Sequence, residues 1–237
     1  MINNIMKILI AIPTYNEFGN IENLINSISA ETNNMDILFI DDNSSDGTLE
    51  MINKYKNNQM NIKLILNEEK MGVGNAHLNA INYAYKNNYQ ILVTMDADFT
   101  HHPSYINKMI KNMGDNHIVI GSRHEKKDSI KSWPLFRKFL TQSAYFFTKY
   151  FLKINFDATS GFRLYNLTTI NSNFFDNIQS KGYSFFIETS FKFKRILKVK
   201  TLAIDMPIRF AEKSKMKFSD MITTVLLMIK LYFKRYN

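Results

Sequence analysis

The sequence of 237 residues contains no cysteine, which excludes disulfide bonds and thiolate metal sites. The absence of cysteine is compatible with a reducing cellular compartment. The chain also has no run of eighteen uncharged apolar residues, so we predict no membrane-spanning helix. The apolar residues 8–12 run into Pro13 rather than into a small-residue cleavage site, and this pattern predicts a first β-strand rather than a signal peptide.

Arginine is absent from the first half of the chain. Residues 1–120 contain 8 lysines and 13 acidic residues, a net charge of −5, whereas residues 121–237 contain 22 basic and 8 acidic residues, a net charge of +14. This asymmetry predicts two ligands of different kinds, for instance a metal-bound nucleotide and an anionic partner. Charge alone leaves both nucleic acid and anionic membrane open as that partner.

Strand-like and helix-like segments alternate along the first 120 residues. The patterns predict strands at 7–12, 36–40, 62–66, 91–95 and 117–120, and helices at 20–29, 46–55, 74–85 and 105–113. This order predicts an α/β fold with a doubly wound, mostly parallel sheet and helices on both faces. Later segments predict a helix at 134–152, a polar turn at 157–163, a helix near 184–197, a strand at 201–209 and a helix from Ser219.

Two carboxylates, Asp96 and Asp98, follow the apolar run 91–93. Ligands of open α/β sheets bind at the carboxyl ends of strands. Two acids at such a place repel each other unless a cation lies between them, and a hard divalent ion bound to substrate phosphates meets that need. The alternative is a surface loop whose acids cap the helix that Pro103 begins.

Polar residues also follow the first two strands. Tyr15 could stack on a base and Glu17 could accept hydrogen bonds from a nucleoside, although a proline-initiated turn explains the same residues. Asp42 follows strand two, where acids typically bind ribose, and Asp46 suits the N-cap of the next helix.

The pair Gly72 and Gly74 lacks a third glycine and follows strand three, so we reject a dinucleotide cofactor site there. Adjacent side chains rarely point the same way, so at most one of His101 and His102 is expected near the carboxylates. The other is expected to supply polarity at the start of the next helix.

Eight segments in this order resemble family 2 glycosyltransferases of the dolichyl-phosphate mannosyltransferase, or polyprenyl-phosphate hexosyltransferase, type. The segments are residues 13–17, 41–48, 72–76, 95–103, 120–123, 133–138, 159–165 and 180–185. The resemblance covers residues 7–217 and implies a GT-A fold and an inverting transferase. We therefore predict a GT-A domain over residues 1–217. Residues 218–237 are predicted to form an amphipathic helical extension, either part of the same domain or a membrane-surface anchor.

The resemblance also implies roles for individual residues. The residues implied to contact the nucleotide sugar are Pro13, Tyr15, Glu17, Ile40, Asp42, Asp96, Ala97, Asp98, Thr100, Lys181 and Lys215. Asp96, Asp98 and Thr100 are implied to surround Mg²⁺ or Mn²⁺, with Thr100 acting through water. Asp98, Arg123 and Arg137 are the implied catalytic residues.

The chemistry agrees with these roles. A polyprenyl phosphate is already anionic at neutral pH, so its attack on a sugar needs no strong general base. The protein must instead neutralise the departing diphosphate through a metal and position the acceptor phosphate with cations. Arg123, Arg137 and Lys181 match the basic positions of the family, which accounts for the separate basic half.

One loop departs from the family pattern. Relatives carry an arginine, a glycine and then Ser-Lys after the strand that ends in Pro-Ile-x-Phe. The corresponding loop here, residues 211–216, is about four residues shorter and lacks the arginine and the glycine. Lys215 aligns with the closing lysine and Lys213 is the substitute for the lost charge, but a lysine lacks the bidentate fork of arginine. An inactive nucleotide-sugar-binding relative is therefore one alternative.

The sequence thus predicts a metal-dependent transfer of mannose from GDP-mannose to a polyprenyl or dolichyl phosphate. Another enzyme alternative uses UDP-glucose or a different nucleotide sugar, or builds a surface polysaccharide. A nucleic-acid-binding module is a third alternative, but no helix-turn-helix, zinc or RNP-type pattern is present. We therefore expect no nucleic-acid partner.

The C-terminal residues 221–236 suggest how the protein reaches a lipid. Their apolar run is interrupted by Lys230, and aromatic residues lie beside Lys234 and Arg235. Such a composition is typical of an interfacial helix, while a core helix packed on the sheet is the alternative. We predict a cytoplasmic protein attached peripherally to the cytoplasmic face of a membrane, more tightly with anionic lipid and less tightly with salt.

Overall fold

The structure, a computed structural model, describes residues 6–31, 35–58, 61–207 and 218–234. The strands are β1 Ile8–Thr14, β2 Asp36–Asp41, β3 Ile62–Leu66, β4 Ile91–Thr94, β5 Ile118–Ser122, β6 Arg163–Asn166 and β7 Val199–Ala203. The helices are α1 Phe18–Glu31, α2 Thr48–Asn58, α3 Val73–Lys86, α4 Tyr105–Lys111, α5 Leu135–Tyr150, α6 Ser184–Phe193 and α7 Phe218–Lys234, and a 3₁₀ turn covers Ser172–Phe175.

The seven strands form one sheet in the order β3-β2-β1-β4-β6-β5-β7. β1 pairs in parallel with β2 and β4, β2 with β3, and β5 with β7, while β6 is antiparallel to both of its neighbours. The predicted α/β class and the mostly parallel sheet are therefore confirmed. Parallel strands place their carboxyl ends at the same edge, and this edge carries most of the predicted site.

Helices cover both faces of the sheet, as predicted. Alternate residues of β1 point to opposite faces, so Leu9 belongs to one buried cluster and Ile10 to the other. The first cluster includes apolar residues of α3, α6 and α7, and the second includes those of α1, α2 and α4. Burial on both faces explains why β1, β2 and β4 are almost continuous apolar runs.

The strand β6 was missing from the sequence prediction, which placed residues 157–163 in a polar turn. Arg163 in fact begins this strand and pairs with Thr94 of β4 and with Ile120 of β5. The four residues Arg-Leu-Tyr-Asn contain two polar side chains, so they do not resemble the apolar runs of the other central strands. The prediction also extended the last strand to residue 209, whereas β7 ends at Ala203; residues 208 and 209 lie outside the described part of the chain.

The last helix, α7, packs its Met228 and Leu231 into the core cluster that contains α3 and α6. Other apolar side chains of α7, such as Leu226 and Phe233, are exposed. Within the four described segments, every helix is too short or too polar to cross a bilayer.

Candidate active site

A cavity of about 910 Å³ lies at the carboxyl edge of the parallel strands. Eleven of the predicted site residues line it: Pro13, Tyr15, Glu17, Asp42, Asp96, Ala97, Asp98, Thr100, Arg123, Arg137 and Lys181. Because β6 runs antiparallel, the residues before it reach the same edge, and Thr159 and Gly161 also line the cavity. The fold thus brings residues from all eight of the resemblance segments into one space.

Two predicted residues are not in this set. Ile40 is fully buried in β2, and its side chain packs in the core rather than against the cavity. It lies one residue before the end of β2. Lys215 lies outside the described residues.

Asp42 is held by the protein itself. One of its carboxylate oxygens accepts from the side-chain amide of Asn67 at 2.8 Å and the other from the backbone N–H of Gly72 at 2.9 Å. Asp41, which is fully buried, accepts from the Ser44 backbone N–H and hydroxyl. Asp41 therefore shapes the loop after β2, and Asp42 joins this loop to the start of α3.

The loop after β1 is fixed in a similar way. The Glu17 carboxylate accepts a hydrogen bond from the Asn20 side chain at 2.7 Å. The backbone N–H of Glu17 donates to the Thr48 hydroxyl at 2.8 Å. The ammonium group of Lys70 lies 3.9 Å from the ring centroid of Tyr15, a distance at which a cation is attracted to the ring face. Lys70 also lines the cavity, and the sequence reasoning gave it no role.

The carboxylate pair shows two different environments. Asp98 is buried, and one of its oxygens accepts from the Thr100 hydroxyl at 2.6 Å and the Thr100 backbone N–H at 3.1 Å. The Asp96 side chain is 37% exposed. The hydroxyl of Thr100 is thus hydrogen-bonded to Asp98, so in this structure Thr100 orients the Asp98 carboxylate.

His101 and His102 differ as expected for adjacent residues. Nδ1 of the buried His101 accepts the Asp96 backbone N–H at 2.9 Å, and burial lowers the pKa of His101, although Asp96 and Asp98 oppose that shift. The neutral ring of His101 therefore holds the backbone of the loop that carries Asp96 and Asp98. His102 is exposed and accepts from the backbone N–H of Ser104, next to the start of α4.

The donor set at this loop fits a hard divalent cation. Asp96 and Asp98 supply oxygen ligands, which Mg²⁺ and Mn²⁺ prefer. Within the described residues no group of three or more histidine, cysteine, aspartate or glutamate side chains could hold a metal. A cation here would take its remaining ligands from water or from a bound phosphate, as Mg²⁺ commonly does.

The two glycines of the Gly-x-Gly pair have a packing role. Gly72 has a φ of 88°, and a Cβ on Gly74 would lie 2.7 Å from the carbonyl carbon of Lys181. The Asn75 backbone N–H donates to the Lys181 carbonyl oxygen at 3.2 Å. These glycines therefore let the chain at Lys181 approach α3 closely, which places Lys181 at the cavity.

Arg123 is anchored by a buried acid. Its Nε donates to Asp157 at 3.0 Å, and its Nη2 donates to the Thr159 hydroxyl at 3.3 Å. Burial would raise the pKa of Asp157, but the Arg123 guanidinium and the Thr159 hydrogen bonds hold it below its usual value. Asp157 is therefore an ionised partner that keeps Arg123 at the wall of the cavity.

Two helices supply a wall that the motifs did not predict. Leu140, Ala144 and Phe147 of α5 line the cavity, and so do residues of α7 such as Val225 and Met228. The only sequence signal for this wall was the apolar and aromatic content of both segments. Trp133 also lines the cavity, next to Arg123 and Arg137, and the sequence reasoning assigned it no role.

We call the lining formed by residues 13–15, 17, 42, 96–98 and 100 the acidic part of the cavity. The lining formed by Arg123, Trp133, Arg137 and the helices α5 and α7 is called the basic part. The acidic part contains the carboxylates, and the basic part contains two arginines beside apolar helices. One space thus offers a place for a cation-bound anion and a place for an anion with an apolar tail.

Comparison with known proteins agrees with this arrangement. Residues 9–175 match the model of the family described as glycosyl transferase family 2. The chain is 29% identical over 209 residues to an undecaprenyl-phosphate mannosyltransferase of Micrococcus luteus, covering 88% of this chain and 85% of that protein. It is 27% identical over 221 residues to a polyprenol monophosphomannose synthase of Mycolicibacterium smegmatis, covering 90% and 82% of the two chains.

Among solved structures, the fold is similar to that of glucosyl-3-phosphoglycerate synthase from Mycobacterium tuberculosis in complex with Mn²⁺, UDP and phosphoglyceric acid. The TM-score is 0.68 at 16% identity, and the match covers 97% of this chain and 78% of the other. This likeness shows the GT-A fold. The family match spans more than half of the sequence, so the chain belongs to glycosyl transferase family 2 and is a glycosyltransferase.

Proposed function

We propose that this protein transfers a mannosyl group from GDP-mannose to the phosphate of a polyprenyl lipid, with inversion at the anomeric carbon. The observation that carries the proposal is the single cavity that combines strand-end carboxylates, two arginines and two apolar helices. The two curated relatives, named for undecaprenyl-phosphate and polyprenol substrates, support the same acceptor class.

The acidic part of the cavity would hold the donor. Tyr15 offers a ring face, Glu17 a carboxylate and Asp42 a fixed acceptor site for the nucleoside. Hydrogen bonds hold Glu17 and Asp42, and the ring contact with Lys70 holds Tyr15, before the ligand arrives, which lowers the entropic cost of binding. Pro13 and Ala97 would contact the donor through van der Waals packing.

The diphosphate of the donor would lie beside Asp96 and Asp98 together with Mg²⁺ or Mn²⁺. A divalent ion held by these two carboxylates would neutralise the charge that develops on the leaving nucleoside diphosphate. The protein itself orients the carboxylates. The Thr100 hydroxyl donates a hydrogen bond to Asp98, and His101 accepts one from the backbone N–H of Asp96.

The basic part would hold the acceptor phosphate. Arg123 and Arg137 of this part line the cavity, as does Lys181, and the three residues would bear the positive charge that positions this anion. The acceptor oxygen attacks the anomeric carbon while the bond from that carbon to the nucleoside diphosphate breaks on the opposite side. The acceptor is already ionised, so no proton has to be removed during the step.

The apolar walls would accommodate the start of the lipid and bring the protein to a membrane. Phe147 and Val225 line the cavity, while Phe139 on α5 and Leu226 on α7 are exposed. We propose peripheral attachment to the cytoplasmic face through these helices. The extension at residues 218–237 would then serve both as a cavity wall and as part of the surface anchor.

A thermal-shift panel tests the donor. GDP, GDP-mannose, UDP and UDP-glucose are each added with Mn²⁺ or Mg²⁺, and binding to the folded state raises the unfolding temperature. We expect GDP-mannose with a divalent ion to stabilise most. The bound UDP of the structural neighbour makes the uridine nucleotides the necessary comparison. Larger stabilisation by UDP-glucose would contradict the GDP-mannose assignment.

A transfer assay tests the reaction. Labelled mannose is supplied as GDP-mannose, and the label is followed into an organic phase that contains polyprenyl phosphate. We expect metal-dependent transfer to the phosphate and none to the corresponding polyprenol. Nucleotide binding without transfer would instead support a binding protein without activity, and salt-dependent binding of DNA would support the nucleic-acid alternative.

A further inference from the structure

The chain has one tryptophan, and this residue contacts both arginines of the basic part. Trp133 is 4% exposed and precedes α5 by two residues. The Cζ atom of Arg137, one helical turn later, lies 3.7 Å from the centroid of the Trp133 ring, and that of Arg123 lies 5.8 Å from it. Both distances are within the range at which a guanidinium is attracted to an indole ring.

The indole ring is itself held in place. Its Nε1–H donates to the Met206 carbonyl at 2.9 Å and to the Pro207 carbonyl at 3.3 Å. The backbone N–H of Trp133 donates to the Ile130 carbonyl at 3.0 Å. Rotation of the buried ring would break the Nε1 hydrogen bonds, and breaking a buried bond is costly. The plane of the ring is therefore fixed before any ligand binds.

Arg123 is held from a second direction. The bonds to Asp157 and Thr159 use two of the five N–H donors of its guanidinium group. A guanidinium can stack on a ring and still donate hydrogen bonds from its edge, which an ammonium group cannot do. Both arginines line the cavity, where the edge of a guanidinium group can donate to an anion that enters it.

We propose that Trp133 is a positioning residue, whose ring orients Arg123 and Arg137 as a pair that binds the phosphate of the acceptor. This inference rests on the proposed function, because it takes the anion to be a lipid phosphate. The ring limits the side-chain motion of Arg137 in the free protein, and such preorganisation reduces the entropy lost on binding. Trp133 does not contact the reacting atoms; it acts through the two arginines.

The single tryptophan provides a direct measurement. The intrinsic tryptophan emission of the protein comes from Trp133 alone, so it reports on the contact with the arginines. Farnesyl phosphate, a short-chain prenyl phosphate, is titrated into the wild-type protein, and farnesol is the control without a phosphate. We expect a saturable change of emission with farnesyl phosphate only, and the same change in Lys138→Ala, a neighbouring cation that does not line the cavity.

Kinetics of two substitutions separate positioning from structural support. Trp133→Leu removes the ring face, and we expect it to raise the KM for the acceptor about tenfold with the KM for the donor within about twofold of wild type. Trp133→Phe keeps an aromatic face and loses only the N–H. We expect this conservative variant to recover most of the acceptor affinity.

If Trp133→Leu does not fold, Arg137→Lys decides the matter, because it keeps the charge on a partly exposed side chain and loses the planar stack. An increase of the acceptor KM alone supports the proposal. Equal increases of the donor and acceptor KM in the folded Trp133 variants, or an unchanged acceptor KM in Arg137→Lys, would overturn it.

The two proposals can fail separately. Wild-type protein that transfers mannose while its emission does not respond to farnesyl phosphate contradicts the role of Trp133 and leaves the proposed function intact. A saturable emission change that Arg137→Lys weakens, in a protein that transfers no sugar to polyprenyl phosphate, supports the role of Trp133 and contradicts the proposed function.

Discussion

The acidic and basic parts of the cavity are built in different ways. In the acidic part, the functional side chains follow β1, β2 and β4 directly. Hydrogen bonds from Asn67 and Gly72, in the segment between β3 and α3, fix Asp42, and those from Thr100 in its own loop fix Asp98. In the basic part, the arginines are held by a buried acid and a tryptophan ring, and two helices expose apolar side chains. The ends of the strands therefore position the side chains of the acidic part, whereas the packing of a buried acid, a ring and two helices positions those of the basic part.

The largest effect is expected in the acidic part. Asp98→Ala removes a carboxylate from the proposed metal and diphosphate site, and we expect mannosyl transfer to fall by about a thousandfold or more, equivalent to about 4 kcal/mol of transition-state stabilisation. Asp96→Ala should lose nearly as much. Transfer of labelled mannose to polyprenyl phosphate measures both variants, and circular dichroism checks that they fold.

Asp115→Ala is the matched control for these variants. Asp115 is 79% exposed and pairs with Lys198 at the surface, where an ion pair contributes little to stability. Its activity should equal that of the wild type. Full activity of Asp98→Ala, or wild-type activity without any divalent ion, would show that the carboxylates do not act through a metal.

The second prediction concerns the buried arginine that joins β6 to α6 beneath the cavity-lining residues Thr159 and Gly161. Arg163 is fully buried and makes five hydrogen bonds to uncharged oxygens: the carbonyls of Ser160, Ala158 and Phe186 and the hydroxyls of Thr189 and Ser190. Arg163→Met leaves these oxygens without their donor. We expect the free energy of unfolding to fall by about 3 kcal/mol or more, measured by urea denaturation.

Arg195→Met is the control for this variant because Arg195 is exposed. Its stability should change by less than about 0.5 kcal/mol. If Arg163→Met were as stable as the control, the buried hydrogen bonds would not join β6 to α6 as the structure indicates.

The third prediction tests whether the two parts of the cavity bind different ligands. Arg137→Ala should raise the KM for the lipid acceptor about 10- to 100-fold, because a hydrogen bond to a charged group contributes about 1.5–3 kcal/mol. The affinity for GDP-mannose, measured by calorimetry, should change by less than about twofold, since Arg137 lies in the basic part. An equal loss of donor affinity would mean that the two parts are not separate sites.

The fourth prediction uses pH. His77 of α3 is fully buried against Phe185 and Phe186 of α6, and neither ring nitrogen has a hydrogen-bond partner among the described residues. Burial, with a smaller contribution from the charge of Arg163, lowers the pKa of His77 to about 3. The unfolded chain, with a histidine pKa of about 6.5, therefore binds a proton that the folded protein does not.

It follows that the stability due to the neutral ring is complete above about pH 6.5 and is lost as the pH falls from there towards 3. The wild type should lose about 2 kcal/mol from this group between pH 7.5 and 5. His77→Leu should be at least as stable at pH 7.5 and should lose less on acidification. Urea denaturation at the two pH values measures this, and parallel losses in both proteins would contradict a neutral, buried His77.

Much of the acidic part could be predicted from sequence. Each strand end is marked by an apolar run followed by polar residues, and this rule located Tyr15, Asp42 and Asp96 correctly at one sheet edge. The rule did not predict the hydrogen-bond partners of these residues. The role of Thr100 near a metal stays a prediction, and the structure adds that its hydroxyl donates a hydrogen bond to Asp98, since a short loop brings side chains two residues apart into contact.

The basic part was less predictable for a physical reason. The ring contact of Trp133 with Arg137 follows from spacing of one helical turn, but its contact with Arg123 depends on the packing of residues ten apart. The strand β6 is only four residues long, and its register is set by pairing with β4 and β5. Such long-range pairing leaves no periodic signal in the sequence.

The smallest effect is expected at the surface of α7. Its apolar side chains form two stripes: Met228 and Leu231 pack in the core, while Ile222, Leu226 and Phe233 are exposed. A helix that is apolar on both sides needs a second apolar environment besides the core. In the proposed attachment a membrane surface would supply it, and Lys230 and Lys234 on the same helix would favour anionic lipid.

Leu226→Glu tests this stripe without removing the core contacts of α7, which deletion of residues 221–237 would do. We expect flotation with anionic liposomes to fall about three- to tenfold, and to fall further as salt is raised, because burial of one leucine contributes about 1.5–3 kcal/mol at most. Ile196→Glu is the matched control, since Ile196 is 63% exposed but lies outside α5 and α7. If Leu226→Glu floats as well as Ile196→Glu, this face of α7 does not contact the membrane, and the exposed residues of α5 become the next surface to substitute.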